Sequence, residues 1–152
     1  MRHSLLALAL LFSMGANPSG NMVETNTTFA HLRPLVGKGT EALFNDPAAS
    51  QAINALAGAS AYEELLKVTQ VAPEMTLHGD RFLKASGCMP HACNLAGAMV
   101  VIDTKSTDIL IVLYPISLEL EQNVFINNPK MDLPRDLDKE ITAWKARYWQ
   151  MK

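Results

Sequence analysis

The chain has only two cysteines, no excess of basic residues and no apolar run long enough to cross a bilayer. Lys and Arg number 13 against 15 Asp and Glu, a formal charge of −2. The basic surplus that marks a nucleic-acid binder is therefore missing, and the weak acidity mildly favours a basic protein partner through long-range steering. Also missing are the Cys-x-x-Cys of a thioredoxin-like centre, the Gly-x-Ser-x-Gly elbow of a serine hydrolase and any His/Cys/carboxylate spacing typical of a metal site. Repeats and low-complexity tracts are absent too, and no cofactor is implied.

The longest apolar run, Leu5 to Met14, is about half of the roughly 20 residues a membrane-spanning helix needs. Met1 and Arg2 precede it and small, turn-forming residues from Gly15 to Gly20 follow, the layout of a secretory signal peptide. The alternative is a buried N-terminal helix. We expect a signal peptide over residues 1–16, with cleavage between Gly15 and Gly20, and a single domain over 17–152 that begins with a polar tail from Asn17 to about Thr28. No cysteine follows the apolar run, so lipid attachment is not expected, and the shortness of that run argues against membrane insertion after processing. Loss of Arg2 leaves 12 basic residues against 15 acidic ones, a charge of −3.

Helices are expected in the first half. Asp46 is a suitable N-cap with Pro47 at the first helical position, and Ile53 and Leu56 share a face before Gly58 ends the helix. Ser60 and Glu63 have capping-box spacing for a second helix to about Thr69, burying Tyr62, Leu65 and Val68. Beyond Pro73 the pattern becomes that of strands: Glu74 to His78 and Arg81 to Ser86 around a Gly79-Asp80 turn, then Leu95 to Asp103, Ile109 to Leu113, and Leu118 to Phe125. A last helix is expected from about Pro134 to Trp149, with Leu137, Ile141, Trp144 and Tyr148 on one stripe. The class is α+β: a central antiparallel sheet of about five strands, arranged as a meander, with helices packed on it.

Both cysteines lie in the loop Cys88-Met89-Pro90-His91-Ala92-Cys93. In an oxidising compartment such a pair is read as a disulfide. A ring of six residues gains only about 2 kcal/mol from chain entropy, so the bridge matters more for shape than for stability. Pro90 fixes its own φ and restricts Met89, which leaves His91 as the side chain displayed at the tip.

The segment Ser86-Gly87-Cys88-Met89-Pro90-His91-Ala92-Cys93, with the strand that follows it, resembles the Ivy family of periplasmic inhibitors of vertebrate lysozyme. That family carries a Cys-Lys-Pro-His-Asp-Cys loop between two strands, and the order of elements agrees over most of the chain. The resemblance implies a non-enzymatic periplasmic inhibitor of c-type lysozyme. Its target-binding residues would be Cys88, Met89, Pro90, His91, Ala92 and Cys93, with His91 set against the two catalytic carboxyls of the enzyme. It also leaves a homodimer open. Two of the six loop positions depart from the motif, Met89 for Lys and Ala92 for Asp, and both departures remove charge. They motivate a second reading, a paralogue acting on the bacterium's own peptidoglycan-cleaving enzymes such as lytic transglycosylases.

Other chemistry finds less support. An envelope thiol oxidoreductase or hydrolase would rest on the cysteine pair and on scattered carboxylates alone. His31 and His78 can be imagined as metal partners of His91, but read more simply as surface or strand-end residues. Glu119 and Glu121 share a strand face as paired acids do, yet polar alternation on a half-exposed sheet explains them equally well.

Overall fold

A computed structural model of the chain describes residues 28–116, 123–127 and 130–149. The expected signal segment, nearly all of the tail, Glu119 and Glu121 and the first part of the expected Leu118–Phe125 strand lie outside them.

Among the described residues the helices begin with a short 3-10 turn, Ala30–Leu35, and a single helical turn, α1 (Glu41–Phe44), neither of which the sequence pattern announces. Next comes α2 (Pro47–Ala57), with Pro47 at its first position and the Asp46 carboxylate accepting from the Ala49 amide at 2.9 Å. That is the expected cap. The second cap is different. Helix α3 (Ala59–Val68) follows α2 after one residue, Gly58, whose φ of +82° reverses the chain and whose carbonyl already accepts from the Tyr62 amide at 2.9 Å. Ser60 therefore falls inside the first turn, and no side chain caps α3. Leu65 and Val68 are buried as expected, and Tyr62 is half-buried. The Tyr62 hydroxyl meets Ser50 Oγ on α2 at 2.6 Å.

Five strands, β1 (Thr76–His78), β2 (Phe82–Cys88), β3 (Gly97–Asp103), β4 (Ile109–Tyr114) and β5 (Val124–Asn127), pair antiparallel in sequence order. Gly79 and Asp80 both have positive φ between β1 and β2, as a tight I′ hairpin requires. The sheet is the meander of an α+β fold, with α1–α3 on one face and α4 (Arg135–Trp149) on the other. Leu83, Ala85, Val100, Ile102 and Ile111 pack with Ile53 and Leu65, while Met99, Val101, Leu110 and Val112 pack with Leu137 and Ile141. Every residue of β3 is buried. A strand covered on both faces has no polar side to show, hence its apolar sequence from Gly97 to Ile102. On α4 the expected stripe is the packing face, and burying Leu137 and Ile141 contributes about 1.5–3 kcal/mol each.

The two ends of the sheet are built differently. Where Phe82 pairs with Asp103, the buried Asp103 carboxylate takes Nε and Nη2 of Arg81 at 2.6–3.0 Å and the Lys105 amide at 2.9 Å. Burial pushes Asp103 upward, but these hydrogen bonds outweigh it and hold the carboxyl below the ordinary aspartate range. At the other end Cys88 faces Gly97, and the cysteine loop begins.

Candidate functional site

Cys88 is the last residue of β2, and the disulfide joins it to Cys93 with their Cα atoms 4.7 Å apart. Both backbone groups of Cys88 are bonded to Val71, N–H to carbonyl at 2.9 Å and carbonyl to N–H at 3.0 Å. The segment after α3 thus extends the sheet edge beyond β1. One residue earlier the approach is closer still: a Cβ at Gly87 would lie 2.7 Å from Thr69 Cα and 2.9 Å from its carbonyl oxygen. Only glycine lets the two backbones meet there. Thr40, fully buried, donates its hydroxyl to the Ser86 carbonyl at 2.9 Å.

Within the loop the Ala92 amide bonds to the Met89 carbonyl at 3.0 Å, and the Leu95 and Ala96 amides both reach the Ala92 carbonyl, at 2.8 and 3.0 Å. These bonds turn Leu95 and Ala96 inside the loop, so β3 starts at Gly97 and not at Leu95. A further tie comes from α4: the buried Tyr148 donates its hydroxyl to the Cys93 carbonyl at 2.6 Å. Burial raises the Tyr148 pKa, with nearby Arg147 pulling the other way, so the phenol stays a donor.

The six loop residues divide by direction. Cys88 closes the ring, Met89 is half-buried against the core on the α1–α3 side, and Pro90 and Ala92 are half-buried. His91 and Cys93 are exposed. His91 has a φ of +60°, and Asp80 in its hairpin turn is the other non-glycine residue with positive φ among those described. Left-handed backbone costs a residue with a Cβ about 1–3 kcal/mol, and such strain persists where the surroundings over-determine it. The loop therefore holds an exposed imidazole on a strained backbone.

The other histidines stand elsewhere. His31 lies 3.3 Å from Asp46, and His78 lies 3.3 Å from Asp136 and 3.9 Å from Glu140 on α4. Among the described residues no group of three or more His, Cys, Asp or Glu is placed to hold a metal ion. A depression beside the loop base, lined by Val71, Ser86, Gly87, Trp144 and Arg147, holds about 210 Å³. Small-molecule sites enclose roughly 300–1,000 Å³, and this depression is smaller.

Sequence reasoning anticipates the disulfide and the exposed His91 but misses the supports. Thr40, Thr69, Val71 and Tyr148 act across long sequence separations. So does the buried Glu64, whose Oε1 accepts from the Ile116 amide at 2.7 Å. Of these only Tyr148 leaves a trace in the pattern, as the last member of the α4 stripe.

No helix among the described residues is long and apolar enough to cross a membrane. No curated relative and no solved structure matches the chain. The family model described as inhibitor of vertebrate lysozyme (Ivy) matches residues 48–147, from α2 through the whole cysteine loop to α4, and the chain belongs to that family.

Proposed function

We propose that this protein is exported to the periplasm and inhibits c-type lysozyme by inserting the Cys88–Cys93 loop into the catalytic cleft with His91 at its tip. The observation that carries this reading is His91 itself, exposed and held with φ at +60° on a disulfide-closed loop. A c-type lysozyme works with one carboxyl protonated as general acid and the other ionised. A neutral imidazole can accept from the first and donate to the second, and an imidazolium can pair with both when the acid has given up its proton. Either way both groups that hydrolysis requires are occupied. The protein has no catalytic task in this scheme. Because the loop is ordered before contact, association costs less entropy.

A titration of the purified protein against a vertebrate c-type lysozyme tests the proposal. His91→Ala is expected to lose at least about 2 kcal/mol of binding, as central anchors do, with the thermal midpoint little changed. An unaltered protein that fails to bind at high micromolar concentration would sink the reading.

The second reading, a paralogue directed at the bacterium's own lytic transglycosylases, is favoured by the uncharged loop. Met89 is half-buried against the core, and Ala92 offers no charge. Parallel inhibition assays separate the two, and stronger inhibition of vertebrate lysozyme counts against retargeting.

A further inference from the structure

We infer that Val71, Leu95 and Ile116 form an apolar collar around the base of the loop, and that the collar docks on the apolar lip of the same carbohydrate-cleaving enzyme whose cleft receives His91. The inference rests on the inhibitor reading above.

Large apolar side chains exposed singly are ordinary on protein surfaces, so placement has to carry the case. The three are 48%, 54% and 42% exposed. Val71 is hydrogen-bonded to Cys88, Cys88 pairs with Gly97, Gly97 pairs with Tyr114, and Ile116 lies two residues past Tyr114. Val71, Cys88, Gly97 and Tyr114 thus form one row across the end of the sheet, about 15 Å wide at ordinary strand spacing. The loop rises from the middle of that row, and Leu95 stands two residues beyond Cys93. The three exposed apolar residues therefore flank the base of the inserting loop in sequence and strand pairing.

The chemistry of the loop gives the collar its purpose. No charged residue lies between Cys88 and Cys93, and Met89 packs against the core, which leaves the imidazole as the polar contact of the tip. Apart from His91 the loop brings no charge to an ion pair. Apolar area that excludes water around a pre-ordered anchor can supply affinity instead. Small-molecule and cofactor sites are lined mainly by apolar and aromatic side chains with a few polar groups, and an apolar collar is complementary to a surface of that kind.

The test is the inhibition constant of the purified protein against a vertebrate c-type lysozyme. It is measured for the unaltered chain, His91→Ala, Val71→Thr, Leu95→Asn, the Val71→Thr/Leu95→Asn pair and Leu95→Met. The pair is expected to inhibit about tenfold more weakly, mainly through faster dissociation. Its thermal midpoint should be kept, and Leu95→Met should stay close to the unaltered chain. If the pair inhibits within twofold of the unaltered chain while His91→Ala has lost inhibition, the collar is wrong and the loop reading stands. If affinity and thermal midpoint fall together and Leu95→Met is equally weak, the loss is one of folding and the collar is overturned. An unaltered chain that does not inhibit overturns both.

Discussion

His91 occupies a backbone conformation that glycine would adopt with less strain. Strain of this kind is often stored at functional positions, which gives a prediction whose two halves run in opposite directions. His91→Gly should raise folding stability by up to about 1 kcal/mol, the strain released less the chain entropy glycine costs, and should abolish inhibition. Chemical denaturation and a lysozyme assay on the same preparation check it; a variant that is both less stable and still inhibitory would remove His91 from the tip role. The sequence already shows His91, Pro90 and the cysteine pair as the parts of a displayed tip. It does not show the left-handed backbone, or that Met89 turns toward the core. Both depend on the loop's hydrogen bonds and on packing against residues distant in the chain.

Elements are legible where their signal is local. The Asp46-Pro47 cap, the Gly79-Asp80 turn, the apolar run of β3 and the stripe of α4 each depend on neighbours within a few residues. The capping box at Ser60 fails because α2 and α3 are joined by Gly58 alone, so α3 has begun before Ser60 is reached. Joints between distant elements leave no local signal, and they hold the loop: Val71 on Cys88, Thr40 on Ser86, Tyr148 on Cys93. The Tyr148 hydroxyl is the joint most easily removed without disturbing packing. Tyr148→Phe should cost about 1 kcal/mol of stability and weaken inhibition several-fold, because the loop is then less ordered before it binds. Amide hydrogen exchange across residues 89–96 should rise in the variant, with α4 itself little changed. Unaltered exchange and inhibition together would show that α4 does not position the loop.

Across the whole molecule the two ends of the sheet do separate work. One presents the loop, and the other is closed by the Arg81–Asp103 pair, which ties the β1–β2 turn to the end of β3. Asp103 is buried while Arg81 is partly exposed, so the acid depends on its partners more than the base does. The Asp103 carboxyl is held below the ordinary aspartate value by hydrogen bonds that outweigh burial, and Asp46 is lowered in the same sense by the Ala49 amide and His31. A group whose folded pKa is depressed stabilises the fold fully above its unfolded value, near 3.9 for aspartate, and loses that contribution as pH falls through the folded value. Stability should therefore be nearly level from neutrality down to about pH 5 and should fall below about pH 4. Asp103→Asn should cost about 2–3 kcal/mol at pH 7, since it leaves a buried amide where charge-assisted bonds had been. The gap from the unaltered chain should close as both are taken toward pH 2, where Asp103 is losing its charge in either state. Inhibition at neutral pH and a temperature well below the variant's midpoint should be unchanged, because Asp103 lies at the opposite end of β3 from Gly97 and the loop. Thermal midpoints across pH for the two proteins measure all of this. A gap that stays constant down to pH 2 would mean that the Arg81–Asp103 charge pair does not stabilise the fold.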